Sequence, residues 1–229
     1  MSFVDRERGL PSVRNWEDTP FSLADDFYLI GLDGRSNRPR LHAKAMGLGV
    51  AAALMAELVL NNYIQIHQNR ILVASRHYAP EAREHADMLS AIISEPQHQL
   101  PVWLSYFAQS SVEIVQERLV ARHFLHVESR GVLRSKQTYV AEDPMSVEWR
   151  SLRIARIISK RDIRTWEDLS IIGLIVATGL TDDVMWNAAP EDRENLLMIL
   201  RYLNDEPSLH ALITQVETLI AAAVLSQRK

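Results

Sequence analysis

The sequence predicts a mainly α-helical protein: a single helical domain with a central buried helix and two β-hairpins, the second protruding. Three observations carry that prediction. Apolar residues recur at helical spacing along most of the chain, and two short alternating segments each contain a turn signal. Proline stands at or near the start of several of the helical segments. The length of 229 residues fits one large domain or two small ones, and Gly 8 with Pro 9 leaves no linker-like stretch to divide it. Residues 1–22 read as a loosely ordered arm and 23–229 as the domain.

Residues 27–32 (Phe-Tyr-Leu-Ile-Gly-Leu) suit either a short helical turn or a strand packed on the core, and Gly34 to Pro39 is a loop by composition. Leu41 to Leu60 is the clearest helix. Its apolar residues cover more than one face, which is the pattern of a central buried helix, and Asn61-Asn62 ends it. Tyr63–His67 and Arg70–Val73 alternate on either side of Gln68-Asn69, forming the first hairpin. Helices follow over Pro80–Ser94, from Pro101, and over Val112–His123, the last capped by Ser110 or Ser111. The second hairpin spans Phe124–Ala141 and turns at Arg130-Gly131. Asp143-Pro144 opens a helix to about Ser159, Thr165 caps the next with Asp168 in a variant capping box, and Pro190–Asp205 and Pro207–Ser226 complete the domain.

Composition excludes several chemistries. Cys is 0, so disulfides, thiolate nucleophiles and zinc–cysteine sites are absent. The first twenty residues have no apolar core typical of a secretory signal. The longest apolar runs, Val50–Leu60 and Ile171–Leu180, fall short of a bilayer span, which predicts a soluble or peripheral protein. The expected location is cytoplasmic, with room for a peripheral position on the cytoplasmic face of a membrane. No phosphate loop, His-Glu-x-x-His or Gly-x-Ser-x-Gly motif occurs. His123 and His126 straddle a helix-to-strand change and read as a partly exposed pair; no metal site and no cofactor is expected. Glu57, inside an apolar helix, could act as an acid or base, but the favoured reading is a buried carboxylate bonded to nearby backbone or to an arginine. Asp25-Asp26 and Asp182-Asp183 suit helix starts.

Charge distribution is more informative. The formal net charge is −4, yet the window Arg118–Arg164 holds 11 basic and 5 acidic residues, a local +6 against −10 elsewhere. A basic middle in an acidic chain predicts one face for an anionic partner, with an ordinary solvated basic helix as the plainer alternative. The second hairpin's tip sets Val132 and Leu133 among Arg130, Arg134 and Lys136. An apolar pair among cations suits an anionic membrane interface, or burial against a second subunit.

Two stretches carry a family resemblance. GLGVAAALMAELVLNNYIQIHQNRILV and VQERLVARHFLHVES resemble the small-residue helix with its following hairpin, and the Glu-Arg-Leu helix leading into a second hairpin, of the Golgi phosphoprotein 3 family. The resemblance runs from about residue 23 to 225, and the chain looks like an actinobacterial-type member. It implies a helical domain with a protruding hairpin used in self-association, and a non-enzymatic adaptor that binds phosphatidylinositol 4-phosphate on membranes. The family's headgroup positions fall on His42, Ala51, Glu113 and Gln116, where the family has Trp, Arg, Arg and Arg; of that neighbourhood only Arg118 keeps its identity. Glu and Gln offer no positive charge to a phosphate, so the resemblance implies the fold and surface role but a different ligand.

The reading is therefore a non-enzymatic peripheral membrane, lipid-binding or protein-binding adaptor with altered lipid-pocket residues. Its expected partners are an anionic membrane lipid, a protein, and a second copy of the chain through the hairpin. The alternative is a nucleic-acid-binding regulator that uses residues 101–140 as helix-turn-helix plus wing. The acids at the start of its recognition helix, Glu113 and Glu117, oppose that use.

Overall fold

The computed structural model describes residues 22–74, 80–130 and 136–226. Its elements are α1 (Leu23–Ile30), α2 (Ala43–Leu60), β1 (Ile64–His67), β2 (Arg70–Val73), α3 (Arg83–Ser94), α4 (Leu100–Phe107) and α5 (Ser111–Ala121). Then come β3 (Leu125–Arg130), β4 (Lys136–Ala141), α6 (Pro144–Lys160), α7 (Trp166–Thr178), α8 (Thr181–Val184), α9 (Pro190–Leu200), a 3-10 turn (Arg201–Asp205) and α10 (Pro207–Ser226). Each hairpin is an isolated two-stranded antiparallel sheet.

Helix α2 is the axis of the fold. Every residue from Ala45 to Leu60 is buried, Met55 and Leu58 included, so the helix is apolar on all sides and must be wrapped by others. Helices α1, α4, α5, α7 and α10 pack around it. Its small residues allow close approach: a Cβ on Gly49 would lie 2.2 Å from the Phe27 ring of α1, and one on Gly47 would lie 2.6 Å from the Ala108 carbonyl oxygen. By length and composition alone α2 and the segment Pro207–Leu225 could cross a membrane, although their longest uninterrupted apolar runs are shorter than a span. Helix α2 is a core helix, and α10 packs through Leu209, Leu212 and Val216 against α7, α2 and β1.

Local signals explain most boundaries. Gln68 and Asn69 have φ of 49° and 60°, the pair of left-handed residues that a two-residue hairpin turn requires. Thr165 accepts from the Asp168 amide and so caps α7. Of the two forms open to residues 27–30 the structure takes the helix, as part of α1, with Ser22 and Asp25 forming a full capping box in front of it. Other expectations need correction. Helix α2 begins at Ala43, with the His42 ring as N-cap. Helix α3 starts at Arg83, three residues after Pro80. Ser110 stands at the N-cap of α5, as expected, but its side chain makes no cap bond, and Ser111 Oγ donates to the Gly47 carbonyl. Asp168 does not complete a box at α7, since its carboxylate pairs with Arg153. The short helix α8 was not foreseen, and the segment after Leu200 tightens into the 3-10 turn.

Candidate functional site

Two charged regions stand out, one turned inward and one turned outward. The inward region forms where the N-terminus of α1 meets the C-terminal ends of α2 and α5. Asp25 is fully buried. Its Oδ1 accepts from Arg118 Nε at 2.9 Å and Nη2 at 2.6 Å, and its Oδ2 accepts from Arg122 Nη1 at 2.9 Å. Arg118 also reaches Glu84 of α3 and the Ser22 hydroxyl. Arg122 lies 5.4 Å from the centre of the Phe124 ring. Beside this cluster, Glu57 Oε1 accepts from the Ala24 amide at 2.8 Å, and Oε2 lies 2.6 Å from His85 Nε2, a charge pair when the ring is protonated. The favoured reading of Glu57, a carboxylate satisfied by nearby backbone, is therefore what the structure shows, with a histidine in place of the arginine.

These surroundings shift the acids in opposite directions. Burial raises the Asp25 carboxyl from its ordinary 3.8, and Arg118 only partly offsets it. Burial also opposes charge on Glu57, but His85, the Ala24 amide and Arg118 together outweigh it and hold that carboxyl below its ordinary 4.5. A cleft of about 740 Å³ opens over the cluster, lined in part by Asn61, Tyr63 and His85. Its deepest charged groups are already engaged with one another, which is the pattern of a structural network. On the sequence, Asp25 had only a capping role; its partners stand 93 and 97 residues away, and no local spacing announces them.

The positions that the resemblance assigns to the family's lipid pocket do not assemble a cationic recess among the described residues. His42 is exposed, and its ring caps α2 by accepting from the Ala45 amide. Ala51 is fully buried in the core. Glu113 is exposed on α5, and Gln116 donates to the hydroxyl of Tyr28 at 2.8 Å. Burial raises the Tyr28 hydroxyl to about 12. Arg118 lies further along α5, held by Asp25. As a would-be recognition helix, α5 presents Glu113 and Glu117 to solvent while Arg118 and Arg122 bond to α1. In the second hairpin Arg130 pairs with Lys136 at the end of the ladder. The tip residues Val132, Leu133 and Arg134 lie outside the described residues, and the side chains of Arg130 and Lys136 are likewise not described. His123 sits in the turn after α5, and His126 on β3 lies 3.1 Å from Glu142.

The outward region is helix α6 with the turn after α8. Among the described residues, much of the basic middle expected from the sequence is turned to carboxylates. Arg118, Arg122, Arg150, Arg153 and Arg164 pair with carboxylates, Arg150 with Asp26 and Arg153 with Asp168 and Asp26. Arg156 and Lys160 are exposed and make no ion pair among the described residues. They stand between two recesses: one of about 290 Å³ reaching Arg153 and Arg164, and one of about 370 Å³ reaching Leu152 and Trp186. Helix α6 carries two stripes. Val147, Ser151, Ile154 and Ile158 face the core, whereas Met145, Trp149 and Leu152 are exposed by 59%, 62% and 48%. Trp186 is exposed by 76%. The sequence reading noted the cations of α6 and passed over this second stripe, although residues 145, 149, 152 and 156 repeat at helical spacing.

Among the described residues no group of three or more histidines and carboxylates is placed to hold a metal ion. Comparison with curated proteins gives no match. The family model of Golgi phosphoprotein 3 (GPP34) matches residues 23–218, from the start of α1 into α10. At the level of the family this supports a Golgi-phosphoprotein-like, non-enzymatic adaptor. The match spans the helical core, both hairpins and both charged regions, and the chain belongs to the Golgi phosphoprotein 3 family.

Proposed function

We propose that this chain works by binding, as a non-enzymatic adaptor at an anionic lipid surface, without selectivity for phosphatidylinositol 4-phosphate. The observation that supports this most is the fate of the lipid-pocket positions. Ala51 is sealed in the core and Gln116 is tied to Tyr28, so no guanidinium stands where the family places three. Attraction to an anionic surface then falls to cations elsewhere. Such attraction reads charge density more than headgroup identity, and it weakens as salt shortens the screening length from about 30 Å at 0.01 M to about 8 Å at 0.15 M. The second hairpin's tip, read from sequence alone, adds an apolar pair for self-association or for the interface.

Co-sedimentation tests the reading. Vesicles of phosphatidylcholine with phosphatidylglycerol, and vesicles of equal charge with phosphatidylinositol 4-phosphate, should retain the protein similarly and release it as salt rises. Tight, salt-resistant binding to the phosphoinositide alone would contradict it. A shift of a DNA fragment with no vesicle binding would favour the nucleic-acid alternative.

A further inference from the structure

We infer that the outer face of α6, together with Trp186 in the turn after α8, is the surface that docks on an anionic membrane; this rests on the adaptor reading above. The face combines two features that a bilayer interface selects. Trp149 and Trp186 are amphipathic aromatics that protrude into solvent, and Met145 and Leu152 extend the apolar stripe along the same helix. Tryptophan settles at headgroup level, where its ring meets acyl carbon and its N–H meets water. Arg156 and Lys160 border this stripe, and their long stems let the charged ends reach lipid phosphates while the methylenes lie on apolar surface.

Charge complementarity identifies the occupant. Two acids nearby are ion-paired, Asp162 with Arg164 and Asp168 with Arg153, while Asp192 accepts from the Ala189 amide and keeps its charge. In the recess beside Trp186, Arg156 and Lys160 outnumber that one acid, so the charge at the apolar stripe is positive. An apolar protein partner would leave these two cations without anions, whereas an anionic bilayer supplies both phosphates and an apolar layer. The exposed Tyr106 and Val102 of α4 have no cation in their stretch of helix, so that patch lacks the second feature. The proposed surface also differs from the family's lipid-pocket positions, which lie on α2 and α5.

The test is sedimentation with phosphatidylglycerol/phosphatidylcholine vesicles. Trp149→Ala with Trp186→Ala should weaken binding about tenfold or more, from the loss of two large apolar insertions. Arg156→Glu with Lys160→Glu should abolish the preference for anionic over neutral vesicles. Tyr106→Ala, which removes a comparably exposed ring, should bind as the parent does. Tryptophan fluorescence of the parent should shift to the blue on binding, and most of that shift should vanish in the double tryptophan variant. If the parent binds and the double tryptophan variant binds within twofold of it, the docking face is wrong and the adaptor reading stands. If the parent ignores the vesicles, both fall. Full release by millimolar inorganic phosphate would mark the recess as a free-anion site and overturn the inference.

Discussion

Helices α5 and α6 both send arginines to the region behind α1, but α6 also carries cations that face out. Arg118 of α5 and Arg122 at its C-cap close on the buried Asp25, and α6 sends Arg150 and Arg153 inward to Asp26 and Asp168. Further along α6, Arg156 and Lys160 face solvent beside exposed tryptophans. The difference teaches that a basic stretch of sequence is not a basic surface. Where acids from a distant segment reach the same place, the cations become part of the architecture; where they do not, the cations remain available to a partner.

Replacing one member of the inward set should have the largest effect. Asp25→Ala strips the acceptor from two guanidiniums and from the Ser22 amide. Breaking a buried pair from one side costs about 3–5 kcal/mol, and chemical denaturation should show a loss of that size. A variant as stable as the parent would mean that Arg118 and Arg122 find water without cost, and the cluster would lose its structural role.

Glu57→Gln should come next, at about 1–3 kcal/mol near neutral pH, because the amide still accepts from Ala24 but gives His85 no charge. The pH dependence has a definite sign. The folded state holds Glu57 below its ordinary 4.5, so the unfolded chain takes up that proton first. Its contribution is complete above 4.5 and is lost as pH falls below 4.5 through the lower folded value. Asp25, raised by burial, is protonated more readily when folded; its charge costs stability above its ordinary 3.8, and acid relieves that cost. Glu57→Gln should therefore flatten the acid limb of a stability–pH profile. An unchanged acid limb would remove Glu57 from that account.

The outward set should behave in the reverse manner. Arg156→Glu with Lys160→Glu alters exposed side chains with no ion pair among the described residues, so stability should fall by no more than about 1 kcal/mol, from the reversed charge at the α6 C-terminus. A larger loss, seen as an early thermal transition, would show that these cations are structural like those of α5. Smallest of all should be the thermal effect of Val132→Asp with Leu133→Asp at the hairpin tip. Self-association, read by sedimentation velocity, should fall while the melting temperature barely moves; an early melt would place the tip in the core.

Much of the fold was legible because its signals are local. The small-residue run of α2, the Gln68-Asn69 turn and the Thr165 cap each act within a few residues. What escaped the sequence was non-local. Ser111 turns to Gly47 and not to its own helix, Asp168 answers Arg153 and not its cap, and Asp25 collects arginines from a helix more than ninety residues on. The candidate surface was half legible: the charge of α6 was visible in the window count. Its exposed tryptophan stripe needed the burial of residues 147, 151, 154 and 158 to fix which side faces out.

The central claim is that anionic surfaces meet α6 and not α5, and amide hydrogen exchange tests it most directly. With phosphatidylglycerol vesicles added, protection should rise in peptides covering residues 145–160 and 183–188, and those covering 111–122 should exchange as they do without lipid. Protection that appears over 111–122 and leaves 145–160 unchanged would contradict the claim and return lipid contact to the family's lipid-pocket positions.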